Sequence, residues 1–133
     1  MDAPFAMMIK KRPAHNEAVI THIIGDVAGK TPIIIEDLID TGTTIVNVVE
    51  GLKEKKGAND VYICATHPVF SGPALQRLDH PNINEVVITD SLPIPDQHPS
   101  KFTVLSVDRL LSDAIRIIME GGSISSLFKY GGV

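Results

Sequence analysis

The chain has 133 residues, 44% of them hydrophobic and 21% charged, the size and composition of one globular domain, which excludes disorder and collagen-like repeats. Twelve Lys and Arg against sixteen Asp and Glu give a net charge of −4, so a broad nucleic-acid-binding surface is excluded and any anion site must be compact. No apolar run approaches the ~18 residues of a membrane-spanning helix, and a chain without Trp, with two Tyr and four Phe, lacks an aromatic platform for stacking single strands.

The N-terminal MDAPFAMMIKKRP carries its charges after its apolar stretch, unlike a secretory signal, so a soluble, cytoplasmic protein is expected. KKRPAHNEA follows without an apolar period and with three adjacent positive charges and a proline, which predicts a mobile surface loop. The β-branched runs TPIIIED, NDVYICAT and NEVVITD, with a weaker FTVLSV, predict buried strands. Their continuous apolarity predicts a parallel sheet covered on both faces, in an α/β domain. Between the first two, Ile45, Val48, Val49 and Leu52 fall at helical spacing, with Lys53, Lys55 and Lys56 in the last turn and Gly57 as the stop, completing a β-α-β unit. Cys64, the single cysteine, lies inside VYICA and reads as a buried structural thiol, with neither disulfide nor cysteine-based metal site. A second helix is predicted through SGPALQRLDHP. A third runs through VDRLLSDAIRIIMEGG, where Leu110, Leu111, Ala114, Ile115, Ile118 and Met119 form a wide apolar stripe. SLPIPDQHPSK is irregular, and there is no internal repeat or low-complexity tract.

The stretch IIIEDLIDTGTTI, residues 33–45, concentrates chemistry. A strand delivers Glu36 and Asp37 at its C-terminal end, Asp40 three residues later, and then Thr41, Gly42, Thr43 and Thr44 at a helix start. Free backbone amides, threonine hydroxyls and a flexible glycine can wrap a phosphate monoester, while the carboxylates can accept hydrogen bonds from a sugar diol. The plainer alternative is that Asp40 and Thr41 cap the helix. That accounts for one acid and not for three. His67 follows a strand and reads as a hydrogen-bonded structural group.

At these thirteen residues the chain resembles the phosphoribosyltransferase superfamily. With KKRP at 10–13, GDVAGKT at 25–31, ATHPVFSGPA at 65–74, EVVITDSLPIP at 85–95, LSVDRLLSDAI at 105–115 and SISSLF at 123–128, it is similar to the ribose-phosphate diphosphokinases. The resemblance implies a single type I phosphoribosyltransferase-like domain over 1–133, three layers deep. It is expected to be truncated at its N-terminus, with the strand APFAMMI leading into the catalytic loop and the ATP-binding first domain absent. The implied activity is transfer of the diphosphoryl group of ATP to the 1-hydroxyl of ribose 5-phosphate with Mg2+, in a homo-oligomer, and the fragment alone is expected to be inactive.

By the same resemblance, Lys10 and Arg12 close over the diphosphate as catalytic residues, and Glu36, Asp37, Asp40, Thr41, Gly42, Thr43 and Thr44 hold ribose 5-phosphate. Ser71, Gly72, Ser123, Ser125 and Ser126 match stretches that, in some members, build an allosteric site for ADP or phosphate. Ser71 and Ser123 also read as ordinary helix-start residues. Thr43 stands where the family prefers glycine, and a β-branched residue resists positive φ, so a turn of different shape is expected. Two other readings compete: a purine-type phosphoribosyltransferase, for which 133 residues leave little room for a base-recognition hood, and a non-catalytic regulatory subunit.

Overall fold

The computed structural model describes the backbone of residues 4–14 and 17–130 and the side chains of 4–7 and 24–128. Two strands, β1 (Met7–Ala14) and β2 (Glu17–Ile24), pair antiparallel as a separate two-stranded sheet. The predicted surface loop over KKRPAHNEA is therefore corrected: Lys10 to Ala14 belong to β1 and Glu17 opens β2. Cross-strand pairing with the β-branched run EAVITHII recruits a polar segment that no local pattern marks as strand. The ladder shifts register between Lys11 and Ala14, the interval that contains Pro13, which has no N–H to donate.

The main sheet has four parallel strands in sequential order: β3 (Ile33–Ile39), β4 (Val61–Pro68), β5 (Ile83–Thr89) and β6 (Phe102–Leu105). Helix α1 (Thr43–Lys56) joins β3 to β4, and the five-residue α2 (Ala74–Leu78) joins β4 to β5. The predicted stripe of α1 is the buried one: Ile45, Val48, Val49 and Leu52 face the sheet. Gly57 ends the helix in a left-handed conformation, donating to Lys53 O at 3.2 Å, with Lys53, Lys55 and Lys56 beside the free carbonyl ends. The core joins these side chains to Leu78 of α2 and to Ile34, Ile39, Val61, Ile63, Ala65, Val86, Ile88 and Phe102 of the sheet.

The parallel α/β architecture is as expected, but the strands alternate sharply in burial. Ile34 is 5% exposed and its neighbour Ile35 80%, because successive side chains of a strand leave on opposite faces and α1 and α2 cover only one. On the other face Ile33, Tyr62 and Leu105 are also exposed and Cys64 is half-buried. The described residues thus build two of the three expected layers. Helix α3 (Asp108–Met119) does not supply the third: Leu110, Leu111, Ile115, Ile118 and Met119 are all more than half exposed. A 3-10 helix, Ile124–Tyr130, follows α3. The take-off of α3 is set by Asp90 at the end of β5, which accepts hydrogen bonds from Ser106 Oγ at 2.6 Å and Val107 N at 2.8 Å. Among the described residues no helix is long and apolar enough to cross a membrane.

Candidate functional site

The carboxyl end of β3 carries the acids. Glu36 is half-buried, Asp37 and Asp40 are exposed, and Ile39 between them is 1% exposed and anchors the strand end in the core. Asp37 Oδ1 accepts the N–H of Leu38 at 2.7 Å. The chain then reverses through Gly42, whose φ of 72° and ψ of −8° are left-handed, and enters α1 at Thr43. The first helical hydrogen bond runs from Val46 N to Gly42 O at 3.1 Å, so the amides of Thr43, Thr44 and Ile45 precede the ladder.

No side chain caps this end. The plain capping role of Asp40 and Thr41 is therefore not the geometry adopted. Thr41 Oγ1 and Thr43 Oγ1 lie 3.2 Å apart, one hydroxyl donating to the other. The positive φ falls on Gly42, and Thr43 is already helical, so its β-branch meets no left-handed requirement.

The segment after β4 holds the turn from outside. Phe70 N donates to Ile39 O and Ser71 N to Asp40 O, each at 3.1 Å, and Arg77 Nη1 of α2 donates to Thr41 O at 2.9 Å. Phe70 adopts φ 50°, unusual for a bulky residue, and its ring meets Phe102 edge-on with centroids 5.7 Å apart. At the neighbouring strand ends, His67 Nδ1 lies 2.9 Å from Ser91 Oγ, which donates to Thr66 O at 3.0 Å. His67 thus has the structural hydrogen bond expected of it. Asp90 is held below the ordinary carboxylate range by the hydrogen bond from Ser106 and then by the Val107 amide.

Glu36 to Thr44 are contiguous along the end of β3 and the turn into α1, and Ser71 joins them through the Asp40 carbonyl. Ser123, Ser125 and Ser126 instead hydrogen-bond one another at the start of the 3-10 helix. There Ser123 is the helix-start residue that its type predicted, whereas Ser71 caps nothing: α2 begins at Ala74 behind Pro73. Gly72 lines a groove of about 570 Å³ with Leu75, Gln76, Asp79, Gln97 and His98. Lys10 and Arg12 fall in β1, and their side chains lie outside the described residues. Among the described residues no three His, Cys, Asp or Glu side chains converge to hold a metal ion.

The profile of the phosphoribosyl synthetase-associated domain matches residues 4–129. The chain belongs to that family. Across 129 residues, 96% of its length, this phosphoribosyl synthetase-associated domain is 49% identical to the ribose-phosphate pyrophosphokinase of Oceanobacillus iheyensis. It is 48% identical to that of Nostoc sp. over 130 residues and 43% to that of Bacillus subtilis over 129. It spans about 40% of the length of these relatives. Among solved structures, phosphoribosylpyrophosphate synthetase from Mycobacterium smegmatis superposes with a TM-score of 0.71 at 47% identity, over 75% of this chain and 34% of that one.

Arg77 and Phe70 are the site-supporting residues of this phosphoribosyl synthetase-associated domain that sequence reasoning passes over. Arg77 lies in SGPALQRLDHP, which predicts only a helix, and its partner Thr41 is 36 residues away. Such a contact leaves no local signal.

Proposed function

We propose that the chain carries the ribose 5-phosphate-binding part of a ribose-phosphate diphosphokinase, the enzyme that makes phosphoribosyl pyrophosphate for nucleotide biosynthesis. The observation that carries this reading is the uncapped start of α1, where Gly42 turns the amides of Thr43, Thr44 and Ile45 out of the helical ladder beside Asp37 and Asp40. On this reading the amides and the hydroxyls of Thr41, Thr43 and Thr44 take the 5-phosphate, and Asp37 and Asp40 accept hydrogen bonds from the ribose hydroxyls. The 1-hydroxyl oxygen then bonds to the β-phosphorus of ATP and its proton is released, the bond from that phosphorus to the α,β-bridging oxygen breaks, and AMP leaves with the bridging oxygen. Lys10 and Arg12 are the cations assigned to the charge that accumulates on the transferred group.

Mg2+ prefers one or two carboxylates together with substrate phosphates and water. The exposed carboxylates of Asp37 and Asp40 suit that arrangement, and the ion, when bound, neutralises phosphate charge. The reading also places the protein in the cytoplasm as a homo-oligomer, with ADP or phosphate as regulator. Calorimetry with ribose 5-phosphate tests the cradle: binding is expected, at an affinity as weak as millimolar, and is lost on Asp40→Asn combined with Thr44→Ala. In a diphosphokinase chain that carries the ATP-binding half, Lys10→Ala or Arg12→Ala is expected to lower kcat about a hundredfold or more. A well-folded sample that takes up no ribose 5-phosphate at saturation would refute the reading.

A further inference from the structure

The turn is shaped from outside by one segment. The carbonyls of three consecutive residues, Ile39, Asp40 and Thr41, are held by Phe70 N, Ser71 N and Arg77 Nη1. Gly42 packs against the same helix, with Leu78 Cγ 3.4 Å and Ala74 O 3.5 Å from where a β-carbon would sit. Of these contacts, the one from Arg77 is made by a charged side chain.

Glu36, Asp37 and Asp40 cluster within five residues, and such carboxylates repel a phosphate unless a cation offsets them. The first turn of α1 contains no acid, so the amides themselves face no further negative charge from the helix. A guanidinium carries five N–H donors in a planar fork and stays charged at any working pH. Nη1 uses one donor on Thr41 O, and the side chain is exposed.

We propose that Arg77 is a positioning residue of the sugar-phosphate site. Through the Thr41 carbonyl it fixes the turn that presents the α1 amides, and its positive charge offsets the acids so that a phosphate monoester can bind beside them. This inference rests on the ribose 5-phosphate reading and extends it to a residue on a different helix.

The test is the affinity of the full chain for ribose 5-phosphate at low and at high salt, for wild type, Arg77→Gln, Arg77→Lys and the Asp40→Asn with Thr44→Ala control. Arg77→Gln retains a donor for Thr41 O but removes the charge. It is expected to bind about tenfold more weakly, the scale of a lost charge-assisted contact, with a shallower dependence on salt because one attractive charge is gone. Arg77→Lys restores the charge and is expected to recover most of the affinity. A purely structural role would leave the salt dependence unchanged. Arg77→Gln with wild-type affinity and salt dependence, while the control loses binding, would overturn the role of Arg77 and leave the ribose reading standing. Absence of binding by the wild type would overturn both. Circular dichroism reports whether each variant folds. If Arg77→Gln does not, Arg77→Lys decides: affinity near wild type supports the proposal, and a loss as large as the control's overturns it.

Discussion

At φ 72° Gly42 occupies a conformation in which a β-carbon crowds the following carbonyl oxygen. The space around it is adequate, since the nearest heavy atoms to a built β-carbon are 3.4 and 3.5 Å away. Conformation, and not packing, is thus what demands glycine. Gly42→Ala is expected to cost about 1–2 kcal/mol of stability, whereas Gly42→Asn, whose side chain tolerates the left-handed region, costs less. Urea denaturation of both variants checks the order. If both were neutral, the turn would have another shape. The same residue shows what the chain reveals locally. Glycine after Asp-Thr marks a turn, but which residue takes the positive φ is decided by the geometry, and it is Gly42 and not Thr43.

Among the elements, the parallel strands make the sharpest forecast. Ile63 is fully buried against the α1 and α2 side, whereas Ile35 on the opposite face is 80% exposed. Ile63→Ala is expected to destabilise by about 2–5 kcal/mol through lost burial and a cavity, and Ile35→Ala by no more than about 0.5 kcal/mol. Equal losses in thermal or urea unfolding would show that both faces are covered. Helix α3 gives a pH forecast through Asp90. The hydrogen bonds from Ser106 and Val107 hold its carboxyl below the ordinary range, so its folded pKa lies below the unfolded one. Its contribution is then fully present above the unfolded value of about 4 and is lost as pH falls through the folded one. Protection of the Val107 amide from hydrogen exchange should fall across that acid window in the wild type. Asp90→Asn should remove the pH dependence.

For the whole molecule, the bare sheet face and the α3 stripe leave Ile35, Leu105, Leu111, Ile115, Ile118 and Met119 exposed together with Phe128 at 78%. Apolar surface of this kind promotes association. The 133-residue chain is expected to self-associate at rising concentration, and Leu111→Glu with Ile118→Glu to reduce it, as read by light scattering. A chain that stays monomeric at high concentration would count against the exposure of these faces. What the sequence determined by itself was local. The runs TPIIIED, NDVYICAT and NEVVITD marked β3, β4 and β5, the spacing of Ile45, Val48, Val49 and Leu52 marked the buried stripe of α1, and Gly57 marked its end. Each of these signals resides in a few neighbouring residues whose propensity and periodicity point the same way. The acidic turn was legible for the same reason, since Glu36 to Thr44 are contiguous. Tertiary structure alone decided that KKRP lies in a strand, that one sheet face is bare, that α3 presents its stripe to solvent and that Arg77 reaches Thr41. Those outcomes depend on which segments meet across long separations, and a side chain's local sequence does not encode whether another element arrives to cover it.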